Sequence, residues 1–525
     1  MSAGRTGVRA GLVALGLALP GLISASGTPG RAAPGTAPRA APVAAVEAAG
    51  PGGTVNGIPA RELARMRREA PLVEAALRIQ RAAGDGTAAG FAGVALTGAG
   101  DGVDVFWKGA PPGAVRREIA AVRAGRVTVR AARYSRAELA SAAATVARAD
   151  GTATVSYPVS GTALVVASPD PAATRARLPR LPVEVTLTRA AAAPKPAAAK
   201  PAGPPNSATS KSAGSKSAGS RSAGSATAPA TMVAAAETLP SPSRQDDARP
   251  AWGGAHLINR NAAGGNSGWQ TRDSAGKVID ADTAYHCTSG FPVRNPLTAV
   301  EYLLVPASCG KPRDLFVKPN GVAVNDVLAG DNTLVSAVPG VMLTRPIGGA
   351  EPFLYTGGSW SDTGWSIERA APLVAGQHVC VTGAQTGLAC GAEVSDTLGN
   401  RSGWTPNSTG GSTVLSGLTR VLLAEHSWYT LRDGTTCTIS PAPEDVGCLP
   451  YQGPGDVGAT VFTVDGGTTT GVTIRGLVMR MEFPQDDGLE NVQFVDVGDV
   501  MPMLRGFENS FGTWLELVTK FNDTP

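Results

Sequence analysis

The chain has 525 residues, 17% of them charged and 5% aromatic, with a formal net charge of +4. That length exceeds one ordinary core and predicts two or three domains with some linker, while the apolar content excludes a wholly disordered chain. The small net charge conceals an imbalance: residues 1–250 carry 30 Lys and Arg against 15 Asp and Glu, so the two halves hold +15 and −11. Opposite charges of that size attract two domains over a Debye length of roughly 8 Å. A bias toward arginine codons in the first half is the alternative source of the same numbers.

In chain order, Arg5 and Arg9 precede an apolar run over 10–23 and the small residues Ser24, Ala25 and Ser26. This pattern predicts a secretory signal peptide over 1–26, too short for a membrane span. The Pro/Ala/Gly-rich stretch 27–54 cannot bury enough apolar surface to order itself. Residues 55–190 then predict a small α+β domain. Leu63, Met66, Ala70, Val73 and Leu77 keep helical spacing, and strands are expected at 91–97 and 103–107 around a Gly-rich turn. A helix at 114–122 and a strand at 126–132 follow. Ser135 with Glu138 three residues on is a capping-box signature that opens a helix through Val146. Strands at 153–157, 163–167 and 183–187 complete the domain.

Residues 191–250 predict a flexible linker, containing the five-residue unit Lys/Arg-Ser-Ala-Gly-Ser three times over 211–225. From Ala251 onward the texture changes to short apolar strands separated by Gly, Asn, Asp and Pro turns. Strands are clearest at 302–305, 334–338, 379–382, 461–464 and 472–478, which argues for an all-β barrel or sandwich. Residues 515–521 are read as a terminal helix. All six cysteines, Cys287, Cys309, Cys380, Cys390, Cys437 and Cys448, fall in this half without a Cys-x-x-Cys pair. That usage points to disulfides in an oxidising compartment, and so to a secreted protein, rather than to zinc.

Two sets of residues carry a resemblance to a known family. Gly90-Phe91-Ala92-Gly93, then Trp107-Lys108-Gly109, and later Tyr134, Ser135 and Glu138 resemble the pro-regions of secreted actinobacterial serine proteases; an unrelated α+β binding module is the competing reading. More specifically, Trp252-Gly253-Gly254-Ala255, Cys287-Thr288-Ser289-Gly290-Phe291 and the loop 376–391 around Cys380 and Cys390 resemble the protease domain of trypsin/chymotrypsin-like enzymes of the streptogrisin kind. The resemblance implies two six-stranded β-barrels over 251–525, a mature start near Trp252, and disulfides Cys287 to Cys309 and Cys380 to Cys390. Cys437 and Cys448 would form a third, local bridge outside the family pattern. The pro-like domain would dock on the protease-like domain of its own chain.

The same resemblance exposes what is missing. In the family's Leu-Thr-Ala-Gly-His-Cys-Gly motif, this chain has Ser308 at the histidine position, and in the Gly-Asp-Ser-Gly-Gly-Pro loop it has Val457 at the serine position. Asp331 would keep the carboxylate, with Asp326 as a competing alignment, and the amides of Gly455 and Val457 would be the remnant oxyanion hole. A triad needs a hydroxyl nucleophile, an imidazole base and an orienting carboxylate, and only the last survives here. The four histidines, His256, His286, His378 and His426, show no spacing for a metal or a rebuilt centre, and no cofactor is called for. Met479, Arg480 and Met481 stand where the family has the small residues that line the substrate groove, and would narrow or reshape it; relaxed constraint after loss of catalysis is the alternative source of the same residues. Three readings follow: an inactive homologue that binds a peptide, a protease inhibitor or another extracellular protein; an active endopeptidase with a non-standard triad; or an envelope spacer.

Overall fold

The computed structural model describes residues 54–55, 58–189, 243–245, 247, 250–259, 270–272, 278–281, 285–311, 314–318, 324, 340–358, 362–397, 401–406, 412–423, 428–430, 436–438, 456–464, 471–482, 493–505, 514–520 and 522. The signal-peptide expectation, the linker expectation over 191–242, the strand at 334–338, and Asp326, Asp331, His426, Cys448 and Gly455 lie outside them. So does the side chain of Cys437, and with it the expected third disulfide.

In the first part of the chain a short antiparallel pair, Thr54–Val55 with Ile58–Pro59, leads into helix α1 (Ala60–Ala82), which buries Leu63, Met66, Leu72, Val73, Leu77 and Ile79 and carries Pro71 within it. Strands β1 (Phe91–Leu96) and β2 (Gly102–Trp107) pair antiparallel; after helix α2 (Gly113–Ala121), β3 (Arg126–Ala131) joins β2 in parallel. The order then repeats. Helix α3 (Arg136–Ala149) precedes the antiparallel pair β4 (Thr154–Ser156) and β5 (Leu164–Ser168), and after helix α4 (Pro171–Arg177) strand β6 (Val185–Arg189) joins β5 in parallel. The Ser135 hydroxyl accepts from Glu138 N at 3.3 Å while Ser135 N donates to Glu138 Oε2 at 2.8 Å, so both halves of the capping box are made. Helix α4 is absent from the sequence reading: its seven residues are too few for a periodicity, although Asp170 caps Ala173 N at 3.0 Å and Pro171 opens it.

The second part is built from strands, as the alternation of apolar runs and turns predicts. Strands β7 (Ala251–Gly253), β8 (His256–Asn259), β9 (Tyr285–Thr288), β10 (Pro292–Arg294), β11 (Glu301–Pro306), β12 (Phe316–Val317), β13 (Val341–Thr344), β14 (Ala350–Tyr355) and β15 (Gly364–Ala370) come first. β8 lies between β9 and β12 in one sheet, and β13, β11 and β10 make a second, completed by β22 (Glu516–Leu517) near the end of the chain. Glu516–Leu517 therefore form an edge strand within the stretch expected as a terminal helix; among the described residues the helix near this end is α5 (Val500–Arg505). Pairing with a strand more than 200 residues away decided this, which local propensity does not register.

Six strands close a barrel. β16 (His378–Gly383) pairs with β17 (Gly387–Val394), then β18 (Ser412–Leu423), β21 (Gln493–Asp499), β20 (Gly471–Glu482) and β19 (Thr460–Thr463), which returns to β16, and every pairing is antiparallel. Closure leaves the ring without a free edge. The fold is thus an all-β body preceded by a small α+β domain. One six-stranded barrel is closed, and the strands described for the other half form the three- and four-stranded sheets.

The β body begins earlier than Ala251. Arg244, Gln245 and Asp247 are all buried in it, and His256 N donates to Arg244 O at 3.0 Å, so this stretch is part of the fold rather than of the linker. Cores are also shared across the chain. Val55, Ile58, Leu63 and Met66 pack with Phe291, Leu388, Phe462 and Met479 in one cluster; Val159 packs with Leu373, Ala375 and Val379 in another.

Candidate functional site

The loops that carry Ser308 and Val457 meet at the edge of the first two sheets. Ser308 lies in a single 3-10 turn, Ala307–Cys309, directly after β11. Cys309 is bridged to Cys287 on β9, and its Sγ lies 3.8 Å from the Val457 carbonyl oxygen. The same carbonyl accepts a hydrogen bond from Thr288 N at 2.9 Å. Gly458 has φ +98, and a Cβ there would stand 2.0 Å from Thr288 O, so the close approach of the two loops requires glycine. The tertiary structure therefore brings together two of the three expected triad positions; the third, Asp331, is outside the described residues.

Asp456 anchors the loop. It is fully buried, and its carboxylate accepts from Gln385 N at 2.7 Å, Thr386 N at 3.2 Å and the Thr386 hydroxyl. Val457 itself is half-buried and packs against the cluster of Leu257, Cys287, Val305, Cys309, Phe316 and Met342. Ser308 is 4% exposed, and its hydroxyl has no hydrogen-bond partner among the described residues. An isopropyl group has no lone pair to attack a carbonyl, and a lone serine hydroxyl has no basic nitrogen to take a proton.

The histidines have other engagements. His256 Nε2 and His286 Nδ1 are 2.8 Å apart with their rings stacked, and His256 Nδ1 lies 2.6 Å from Gln245 Oε1. Burial, with a contribution from the neighbouring His286, holds His256 well below the ordinary histidine value. His378 faces the α+β domain: its N and Nδ1 donate to the two oxygens of Glu69 at 2.9 and 2.7 Å. His286 and His378 each lie on a strand.

A metal is not accommodated by the histidine pair, whose direct nitrogen-to-nitrogen contact leaves no room for an ion between them. No group of three or more His, Cys, Asp and Glu that could hold one occurs among the described residues.

Beside this pair lies a buried polar cluster that sequence reading missed, because its residues precede the expected mature start. The Arg244 guanidinium donates to Gly383 O and, at 3.4 Å, to Gly357 O; Gln245 Nε2 donates to Ala384 O at 2.6 Å. Burial lowers Arg244 to about 10, against the opposing pull of Asp456. Asp247 accepts from the Tyr355 hydroxyl at 2.7 Å and from Trp252 N at 3.2 Å, and burial raises it to about 7. The only signal for this cluster in the sequence is a group of charged and amide residues closing an otherwise featureless stretch.

The expected narrowing of a groove by β20 is not what Met479 does. Its side chain is fully buried in the cluster that also holds Phe291 and Phe462, while its neighbour Val478 joins the barrel cluster of Val379, Val461 and Val497, since successive residues of a strand face opposite ways. Arg480 is also buried.

No family model matches the chain, and no curated protein matches it. Among solved structures it is similar to Thermobifida fusca protease A, at 16% identity over 51% of this chain and 98% of that one, with a TM-score of 0.30. A Nocardiopsis protease matches at 17% identity over 45% and 93%, TM-score 0.28. A Cellulomonas bogoriensis chymotrypsin matches at 16% identity over 49% and 99%, TM-score 0.25.

Proposed function

We propose that this is a secreted protein with a trypsin-like serine protease body that has lost its hydrolytic centre and acts by binding an extracellular peptide, protease inhibitor or protein. One observation carries the reading. Val457 and Ser308 stand in two loops packed against each other, beside the Cys287 to Cys309 disulfide, where nucleophile and base would have to meet. The surrounding frame supports it: a closed antiparallel barrel, the Cys380 to Cys390 bridge across β16 and β17, and an Asp456 carboxylate that still anchors its loop. Losing nucleophile and base together removes all but the contribution of binding and of any oxyanion hole.

The test is incubation of the purified chain with a serine-directed phosphonate and, separately, with a panel of fluorogenic peptides. The expected result is no covalent adduct by intact-mass analysis and no turnover above buffer. An adduct on any serine, or turnover that the phosphonate abolishes, overturns the proposal and maps the working nucleophile.

A further inference from the structure

From the way the two parts share their interior, we infer that the α+β domain is a permanent half of one folded unit, not a removable segment, and that the barrel surface beneath it is an internal interface. Three independent kinds of contact carry this. The first is apolar. Val55, Ile58, Leu63 and Met66 from the start of the α+β domain are each at most 4% exposed and belong to the same cluster as the barrel residues Leu388, Phe462 and Met479. Val159 enters the barrel's own cluster with Leu373, Ala375 and Val379, and Ala371 and Val374 pack in the reverse direction, into the cluster of α1, β1 and β2. A separable domain keeps its own core and meets its neighbour through a polar surface; here side chains from each part complete the core of the other.

The second is backbone. Leu96 N donates to Ala375 O at 2.8 Å, with Ala95 and Ala375 forming a parallel bridge, and Val159 N donates to Asp396 O at 2.6 Å. At Gly376, with φ +76, a Cβ would stand 2.9 Å from Leu96 O, so the two main chains meet without side chains between them. The third is a buried carboxylate: Glu69, 4% exposed, takes both the main-chain and ring N–H groups of His378. Separating the parts would leave these donors, and Glu69 itself, without the partners that made their burial tolerable.

The charge pattern agrees with a specific fit rather than a general attraction. The α+β domain comes from the basic half of the sequence, yet at the contact it supplies the acids, Glu69 to His378 and Glu74 to Arg369 at 3.0 Å. Both flanks of the sequence 190–242 are also anchored, since Arg189 ends β6 and Arg244 is buried in the β body. Cutting between them would free no described element. This inference does not depend on the absence of catalysis and stands or falls separately from it.

The test places a site-specific protease recognition sequence between Ser215 and Lys216 in the full chain, cleaves it, and passes the product through size exclusion at low micromolar concentration. The two fragments are expected to co-elute at the size of the uncut chain and to unfold in one transition with urea. The same cleaved chain carrying Val159→Asp, which puts a carboxylate in the barrel cluster while leaving the barrel sequence intact, should release its fragments at a several-fold lower urea concentration. Hydrogen exchange on the uncut, unmodified chain checks the same point without cleavage: the amides of Leu96 and Val159 should be protected as long as those of β16 and β19. Separate elution of the fragments, unchanged association in the Val159→Asp variant, or exchange at Leu96 and Val159 that is fast beside β16 would each overturn the inference.

Discussion

Replacing Glu69 by alanine isolates the energetics of the contact between the two parts of the chain. The Glu69 carboxylate accepts from His378 N at 2.9 Å and His378 Nδ1 at 2.7 Å, and its side chain is 6% exposed. Hydrogen bonds to a charged group contribute about 1.5–3 kcal/mol each, and a buried donor left unpaired costs its desolvation. Glu69→Ala removes both bonds and leaves two unpaired donors on His378, whose side chain is 24% exposed. Partial relaxation and entry of water return some of that loss, so the expected destabilisation is about 3 kcal/mol. Equilibrium urea unfolding followed by tryptophan fluorescence measures it. A cycle with His378→Ala, which deletes the ring bond and keeps the main-chain one, should return a coupling of about 1–2 kcal/mol. A loss below about 0.5 kcal/mol for Glu69→Ala, the range of ordinary surface substitutions, would refute the reasoning.

Other expectations follow from the buried polar cluster and the disulfides. Asp247 is raised from 3.8 to about 7 by burial, so the folded state holds its proton longer; its contribution is complete below pH 3.8 and is lost as pH rises through 7, about 4 kcal/mol in all. His256 is lowered, which acts oppositely, removing stability as pH falls below 6.5. Urea midpoints for Asp247→Asn should therefore lose the decline toward pH 7 and show an unmasked acid lability; parallel profiles for variant and parent would contradict this. Replacing 243–250 by Gly and Ser at constant length removes the bonds of Arg244, Gln245 and Asp247, a loss of about 3–9 kcal/mol at roughly 1–3 kcal/mol for each of the three buried groups. A soluble variant with an unshifted melting temperature would show the segment to be dispensable. Removing either disulfide as a Cys-to-Ala pair, Cys287 with Cys309 or Cys380 with Cys390, should cost about 3 kcal/mol by loop-closure entropy. Calorimetry of the two double variants checks this, and no change for either would argue against the bridge in solution.

Much of the α+β domain was legible because its signals are local. Ser135 and Glu138 mark the start of α3 from a spacing of three residues, and the alternation in β1 and β2 needs no distant partner. Where the partner is distant, reading failed. Residues 515–521 are expected as a helix, but Glu516 and Leu517 pair as a strand with β10. Met479, expected to narrow a groove, is fully buried in a cluster with Ile58, Leu63 and Phe291 from distant parts of the chain. The segment 243–247 was read as the end of a linker, since nothing nearby in sequence announces that Gly357, Gly383 and Tyr355 await its side chains.

By itself the sequence determined the chemistry available at two positions: Val457 offers no nucleophile and Ser308 no base, whatever the fold does with them. It also determined the strand texture and the capping box, because each depends on residue type and short spacing. Only the tertiary structure decided that Ser308 and Val457 share one locality, that Glu69 meets His378, and that one interior serves both parts of the chain. These contacts join residues more than 100 apart. Their free energy comes from complementary burial across the whole fold, so no short window of sequence contains it.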